Sequence, residues 1–441
     1  MVVTARATQS TASTRQAVHR LAVEEHRACP AIAHVAGLLG AGEAEVGAQG
    51  IEERAPRLDV KLDVLPVHAK RRHGAFDSKR RARHVNCKPL LGSMRIAQIA
   101  PLAEAVPPKL YGGTERVVSY LSEELVRLGH DVTLFASGDS ETSARLVACA
   151  PRALRLDPAV KDPLAPLALM LERVRAQAHE FDILHFHLQH VHLPVFRPLA
   201  RRTVTTMHGR LDPPELAPLY REFSEMPLVS ISTAQRRLLP FANWIATVHH
   251  GLAREVCPFN PGPRGSYFAF LGRVSPEKGL DRAIETARRA GVRLRIAAKV
   301  DPCDEEYFQR EIVPLLGLPG VEFVGEVNEA QKPAFLGNAT ALVFPIDWPE
   351  PFGLAMIEAM SCGTPVIAWA QGSVPEVVEE GRTGFIVDSM EGAVAALEKA
   401  ARLDRLEVRN RFEERFSAAR MAQDYLSVYR ALGRRRAVAA L

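Results

Sequence analysis

The stretch "WPEPFGLAMIEAMSCGTPVIAW", Trp348 to Trp369, carries two carboxylates, Glu350 and Glu358, with seven residues between them. Glu350 stands in a Pro-rich loop. Gly353 to Ser361 have helical spacing, Cys362-Gly363 reads as the helix stop, and "TPVIAW" reads as a buried strand. Glu350 therefore precedes a helix N-terminus and Glu358 lies within the helix. An unpaired buried carboxylate costs several kcal/mol or more, so an apolar helix bearing one acid must supply a partner or a wet cleft. Spacing alone favours a solvent-facing glutamate on an amphipathic helix, and the other motifs have to decide.

Three further motifs could do chemistry. In "FLGRVSPEKGLDRAI", Phe270 to Ile284, Arg273 and Lys278 flank a turn between a strand and a helix. A planar guanidinium and a point-charge ammonium beside a helix N-terminus make a place for a diphosphate. An ordinary charged loop with Glu277 answering Lys278 fits the same spacing. In "LYGGTERVVSYL", Leu110 to Leu121, Gly112 and Gly113 follow the first strand and let backbone approach a ligand, with Thr114 as a candidate helix cap. In "TTMHGRLDPPE", His208 stands just past a strand, where α/β sheets open their crevice. "DILHFHLQHVHLP" adds His185, His187, His190 and His192, but no neighbouring carboxylate or cysteine completes a metal shell, so these are expected to line the crevice or pack in the loop.

The elements that must position these groups alternate from Met94 onward. Strand-like runs are "RIAQIA", "DVTLFAS", "DILHFH", "RTVTTMHG", "PLVSIS" and "WIATVHHG", with helical runs such as "TERVVSYLSEELVRLG" between them. After the Pro/Gly-containing "LAREVCPFNPGPRGS" the alternation restarts with "YFAFLGRV", "VRLRIAAKV", "VEFVGEV", "ALVFPI", "TPVIAW" and "TGFIVD". Two such sets imply an α/β protein of two doubly wound Rossmann-like domains whose strand C-termini face one cleft. The expected organisation is a poorly structured basic extension over 1–93, an N-terminal domain over 94–251, a linker over 252–266, a second domain over 267–420, and a closing helix and tail over 421–441. Hinge candidates are Gly251 to Ser266 and the segment before the last helix.

Composition narrows the function classes. Of 441 residues, 47% are hydrophobic and 24% charged, ordinary for a globular protein. No apolar run reaches the ~18–20 residues of a membrane span, and the N-terminus lacks a secretory h-region. The six cysteines, at 29, 87, 149, 257, 303 and 362, form no CxxC pair, which argues against a disulfide framework or zinc site and fits a reducing, cytoplasmic compartment. The net charge of +5 belongs to one end: residues 1–93 carry 15 Lys and Arg against 9 Asp and Glu, the remainder 41 against 42. Nucleic-acid binding is not expected of the body. The extension, ending in "AKRRHGAFDSKRRARH", reads as translation upstream of the true start, as a disordered tail, or as a basic arm making a peripheral membrane or nucleic-acid contact.

The order strand–GG–helix, strand–HG, linker, strand–GRxxxxKG, then ExxxxxxxE at a helix N-terminus resembles the retaining nucleotide-sugar glycosyltransferases of family 4, the group 1 glycosyltransferases, with the GT-B fold. The resemblance runs from Met94 to about residue 430, and its most specific parts are "GRVSPEKG", "EPFGLAMIEAMSCGTPVIA" and "GSVPEVVEEGRTGFIVD". It implies a hexosyltransferase that moves a sugar from a nucleotide-diphosphate donor, by default UDP-glucose, to an acceptor that is a small molecule, a glycan or a lipid. It implies that Arg273 and Lys278 neutralise the donor diphosphate, that Glu350 meets sugar hydroxyls, and that Glu358 meets the ribose. Backbone N–H groups of Phe352, Gly353 and Leu354 would face the sugar or phosphate, and His208 the reacting sugar. Gly112 and Gly113 would approach the phosphates, and Glu115 the acceptor. No cofactor and no metal are expected, since two cations stand at the diphosphate and "DPCDEE" lacks the spacing of a DxD metal motif. Acceptor pockets are expected on variable loops of the first domain, Leu102–Leu110, Ser137–Asp157 and His187–Arg197. Two departures stand out: Ala298-Lys299-Val300-Asp301 replaces a usual glycine turn, and His249-His250 stands where Asn is frequent. Another GT-B enzyme, such as a nucleotide-sugar epimerase, and a non-catalytic sugar-nucleotide binder are the alternatives.

Overall fold

A computed structural model of the chain describes residues 92–109, 112–263 and 265–438. The basic extension, apart from Gly92 and Ser93, lies outside the described residues.

The first sheet comprises β1 (Arg95–Ile99), β2 (Asp131–Ser137), β3 (Arg145–Ala150), β4 (Ile183–Phe186), β5 (Thr203–Met207), β6 (Leu228–Ser230) and β7 (Trp244–Thr247). Their order is β3-β2-β1-β4-β5-β6-β7 and every pairing is parallel. β1 sits centrally, with Ile96 opposite Val132 on one side and Ile183 on the other. Its residues Ile96, Ala97 and Ile99 are fully buried, as a strand covered on both faces requires. The second sheet contains β8 (Phe268–Arg273), β9 (Leu294–Lys299), β10 (Val321–Gly325), β11 (Leu342–Phe344), β12 (Val366–Trp369) and β13 (Gly384–Val387), in the order β10-β9-β8-β11-β12-β13 and again parallel. In each sheet the chain order reverses beside the first strand, and ligand crevices open at such switch points.

Two expectations are corrected here. The segment Ser137–Asp157, read as a loop, contains β3. That strand lies at the sheet edge and is only half buried, and its apolar run, residues 146–150, follows the polar stretch 138–143 that gave the segment its loop character. Thr114 does not cap the first helix: α1 (Gly113–Arg127) has Gly112 at its N-cap, and Thr114 lies inside the first turn. The helix exists because Val117, Val118, Leu121 and Leu125 recur on one face and bury fully.

The C-terminal helices tie the two sheets together. α2 (Arg405–Phe416) packs in the second core through Val408, Phe412 and Phe416. Ser417 is extended (φ −76°, ψ 147°) and breaks the helix, so the closing helix α3 (Ala418–Val438) starts three residues earlier than its expected position. Met421, Tyr425, Tyr429 and Leu432 form its apolar stripe and pack on Ile96 and Ile183 of the first sheet and on Val117 and Leu121 of α1. The chain thus crosses between the lobes twice, and the crossings meet. Leu252 N–H donates to Phe416 O at 2.9 Å and Ala418 N–H to Leu252 O at 2.8 Å. Among the described residues no helix is long and apolar enough to cross a membrane.

Candidate active site

One cleft of about 430 Å³ lies between the C-terminal ends of the two sheets, and it is lined by Gly112, Gly113, Glu115, His208, Arg273, Lys278, Glu350, Phe352, Gly353, Leu354 and Glu358, whereas His185, His187, His190 and His192 do not line it. Gly113 opens α1 so close to the facing lobe that an added Cβ would come within 3.2 Å of Leu354 Cδ1, and one on Gly112 would come within 2.8 Å of Pro108. Leu354 itself opens the EA helix (Leu354–Ser361), so its N-terminus and that of α1, the GG helix, converge on the cleft.

Glu358, on the EA helix, is 5% exposed, so it is not the solvent-facing glutamate that spacing favours. Its Oε1 accepts from Lys332 Nζ at 2.7 Å. Lys332 also pairs with Glu329 at 2.6 Å, and Glu329 with Arg116 of the GG helix at 2.5 Å. Burial works against the Lys332 ammonium, but Glu358 and Glu329 outweigh it and raise its pKa above the ordinary lysine value. The ladder Arg116–Glu329–Lys332–Glu358 supplies the partner that a buried carboxylate needs, and it bridges the two lobes.

Glu350 is 8% exposed. Its Oε2 accepts from Lys278 Nζ at 2.5 Å and from Trp348 Nε1 at 2.9 Å. Both bonds fall on Oε2, which leaves the acceptor capacity of Oε1 for hydroxyls. The Lys278 ammonium also lies 5.0 Å from the Trp348 ring centroid, and the Arg210 guanidinium lies 5.3 Å from the same ring. The expected Glu277–Lys278 pairing is not formed; Glu277 instead pairs with Arg273 at 2.7 Å, because Lys278 turns towards Glu350. Arg273 further faces Asp304 at 3.3 Å and Asp301 at 3.8 Å. Lys299, the residue in place of the usual glycine turn, lines the cleft and pairs with Asp301 at 2.9 Å. "DPCDEE" continues into helical structure from Pro302.

His208 is held from behind. Its Nε2 lies 2.8 Å from His187 Nδ1, and its ring stacks on His250 at 5.1 Å between centroids. Burial pushes its pKa down to about 3, and those of His185, His187 and His250 well below the ordinary value, so these imidazoles are neutral. Among the described residues no group of His, Cys, Asp and Glu is arranged to hold a metal, and Cys149, Cys257 and Cys362 are free thiols. His249 pairs with Glu376 at 3.2 Å, and Glu376 also accepts from the N–H groups of Thr233 and Ala234 at 2.7 Å each. Burial opposes that carboxylate, yet the three donors hold it down to about 2. The double histidine is thus a contact between lobes.

Sequence reasoning missed Arg116, Lys332 and Arg155, which line the cleft. Lys332 carries a usable signal: it opens a helix just after β10, at the same sheet end as Lys278. Arg116 carries none beyond standing next to Glu115.

Two family descriptions match adjoining parts of the chain: Glycosyltransferase Family 4 over residues 111–264 and Glycosyl transferases group 1 over residues 259–417. The chain belongs to the group 1 glycosyltransferases. It is 30% identical over 219 residues to the alpha-maltose-1-phosphate synthase of Mycolicibacterium smegmatis, covering 42% of this chain and 56% of that protein. It is 23% identical over 358 residues to O-antigen chain mannosyltransferase C of Escherichia coli, covering 74% and 96%. The chain thus spans little more than half of the first relative and nearly all of the second. Anabaena HepE, solved in complex with UDP-glucose, superposes with a TM-score of 0.59 at 18% identity over 77% of this chain and 100% of its own. The two-sheet architecture is therefore the GT-B fold of this family.

Proposed function

We propose that this group 1 glycosyltransferase transfers a hexose from a nucleotide-diphosphate donor to a hydroxyl acceptor, with retention of configuration and without a metal. The observation that carries the reading is the convergence of Lys278, Arg273, Glu350 and Glu358 on one cleft between the sheets. The diphosphate leaves with growing negative charge, and cations fixed in a water-excluding site stabilise that charge. Lys278 and Arg273 fill this role, with Lys299 adjacent. Glu350 accepts from sugar hydroxyls and Glu358 from the ribose diol. The anomeric C–O bond to the diphosphate breaks while the acceptor oxygen bonds to the same face, and the acceptor proton passes to the departing phosphate oxygen. No carboxylate is assigned as a nucleophile. UDP-glucose is the first donor to try, since the structurally similar HepE binds it.

The test is turnover on the full chain with UDP-, GDP- and ADP-sugars in EDTA, following nucleoside diphosphate release. Slow hydrolysis of one donor, lost in Glu358→Ala, is expected. Interconversion of donor sugars with no acceptor would make the protein an epimerase, and binding with no release would make it a non-catalytic binder.

A further inference from the structure

His208 is the cleft end of a line of buried polar groups that begins on the closing helix. Gln98 of β1 donates through Nε2 to Tyr429 Oη at 3.2 Å, and its Oε1 lies 2.8 Å from His187 Nε2. His187 Nδ1 lies 2.8 Å from His208 Nε2. On the other side, Tyr429 Oη is 2.7 Å from His185 Nδ1, whose Nε2 is 2.7 Å from Thr206 Oγ1. Gln98, His185 and Thr206 are 0% exposed, His187 2% and Tyr429 1%. His208 Nδ1 is buried with no partner in the protein, while the ring lines the cleft.

A neutral imidazole has one N–H and one bare nitrogen. Gln98 Oε1 can only accept, so the His187 proton is on Nε2. His187 Nδ1 is then bare and receives the proton of His208 Nε2. His208 Nδ1 is bare in turn. On the far side, Tyr429 takes the Gln98 N–H and gives its own proton to His185 Nδ1, which leaves His185 Nε2–H for Thr206. Every member donates one way and accepts the other. Turning the Gln98 amide over would reverse the whole line and place the proton on His208 Nδ1.

We propose that Tyr429 and Gln98 are positioning residues that hold His208 in its Nε2–H tautomer, so that Nδ1 accepts a hydrogen bond from a hydroxyl of the sugar or its acceptor. Tyr429 reaches this place only because the closing helix returns from the second lobe to the first sheet, so docking of that helix sets the hydrogen-bonding sense of the cleft. The identity of the hydroxyl-bearing ligand rests on the proposed transfer reaction. The tautomer does not.

The experiment is long-range ¹H–¹⁵N correlation NMR of the full chain labelled at histidine, with the His208 signals assigned by their loss in His208→Gln. The wild type is expected to show a single neutral His208 with its proton on Nε2. Gln98→Glu keeps an acceptor on His187 and should preserve that pattern. Tyr429→Phe and Gln98→Met should lose it, giving both tautomers, and Tyr429→Phe should lower kcat with the donor KM unchanged. A wild-type His208 protonated on Nδ1 would overturn the proposal, as would an unaltered single pattern in both Tyr429→Phe and Gln98→Met. A chain that shows the expected pattern yet transfers no sugar would refute the function reading and leave the relay standing.

Discussion

Glu115 offers a perturbation whose size follows from its surroundings. It sits in the first turn of the GG helix, 5% exposed, and lines the cleft. Burial raises its pKa from 4.5 to about 7, against its own backbone N–H and the nearby Arg155 and Arg116, and with help from Glu104. The folded state therefore keeps a proton that the unfolded chain releases above 4.5. Stability from this group is fully present below pH 4.5 and is lost as pH rises through about 7. At ~1.36 kcal/mol per pH unit the loss amounts to about 3 kcal/mol by pH 8.5, as an upper figure. Glu115→Gln keeps the shape and removes the titration. Urea denaturation at pH 5 and pH 8.5 should show the variant close to wild type at the lower pH and more stable by up to ~3 kcal/mol at the higher. If ionised Glu115 holds the acceptor, transfer by the wild type rises across the same window and the variant shows no rise. Parallel stability profiles for the two proteins across this range would refute the assignment of a raised pKa to buried Glu115.

Arg273→Ala and Lys278→Ala should each lower kcat by about 10²–10³ if each cation acts like a lost oxyanion-stabilising donor, read from initial rates at saturating donor. Glu358→Gln, which loses a charged acceptor for the ribose, should weaken nucleoside diphosphate binding by about 1.5–3 kcal/mol in a calorimetric titration, whereas an unchanged Kd would remove Glu358 from the ribose site. Gly372→Ala should disturb Glu350, since φ at Gly372 is +53° and an added Cβ would overlap the Glu350 backbone; lower kcat with an intact fold by circular dichroism is the expected result.

The two-sheet fold was legible because interior strands such as β1, β2 and β12 are short, mostly apolar runs that alternate with helical ones, and helices such as the GG helix repeat their apolar residues at helical spacing. β3 was passed over although residues 146–150 are an unbroken apolar run, because polar and charged residues flank it on both sides. The cleft residues were legible where a motif marks a strand end or helix start, as at Arg273, Lys278 and Glu350. What each side chain bonds to was not. Glu277 is adjacent to Lys278 yet bonds Arg273, and Glu358 finds its partner Lys332 26 residues away. The relay behind His208 joins residues separated by up to 331 positions, a closeness that only the return of the closing helix creates.

The central claim is that the two glutamates and two cations form one metal-independent donor site. Isothermal titration of the full chain with UDP, GDP and ADP in EDTA tests it most directly, with Lys278→Ala and Glu358→Ala alongside. One nucleotide should bind the wild type without metal, and both variants should lose most of that affinity. Binding that needs a divalent metal, or that both variants retain in full, would contradict it.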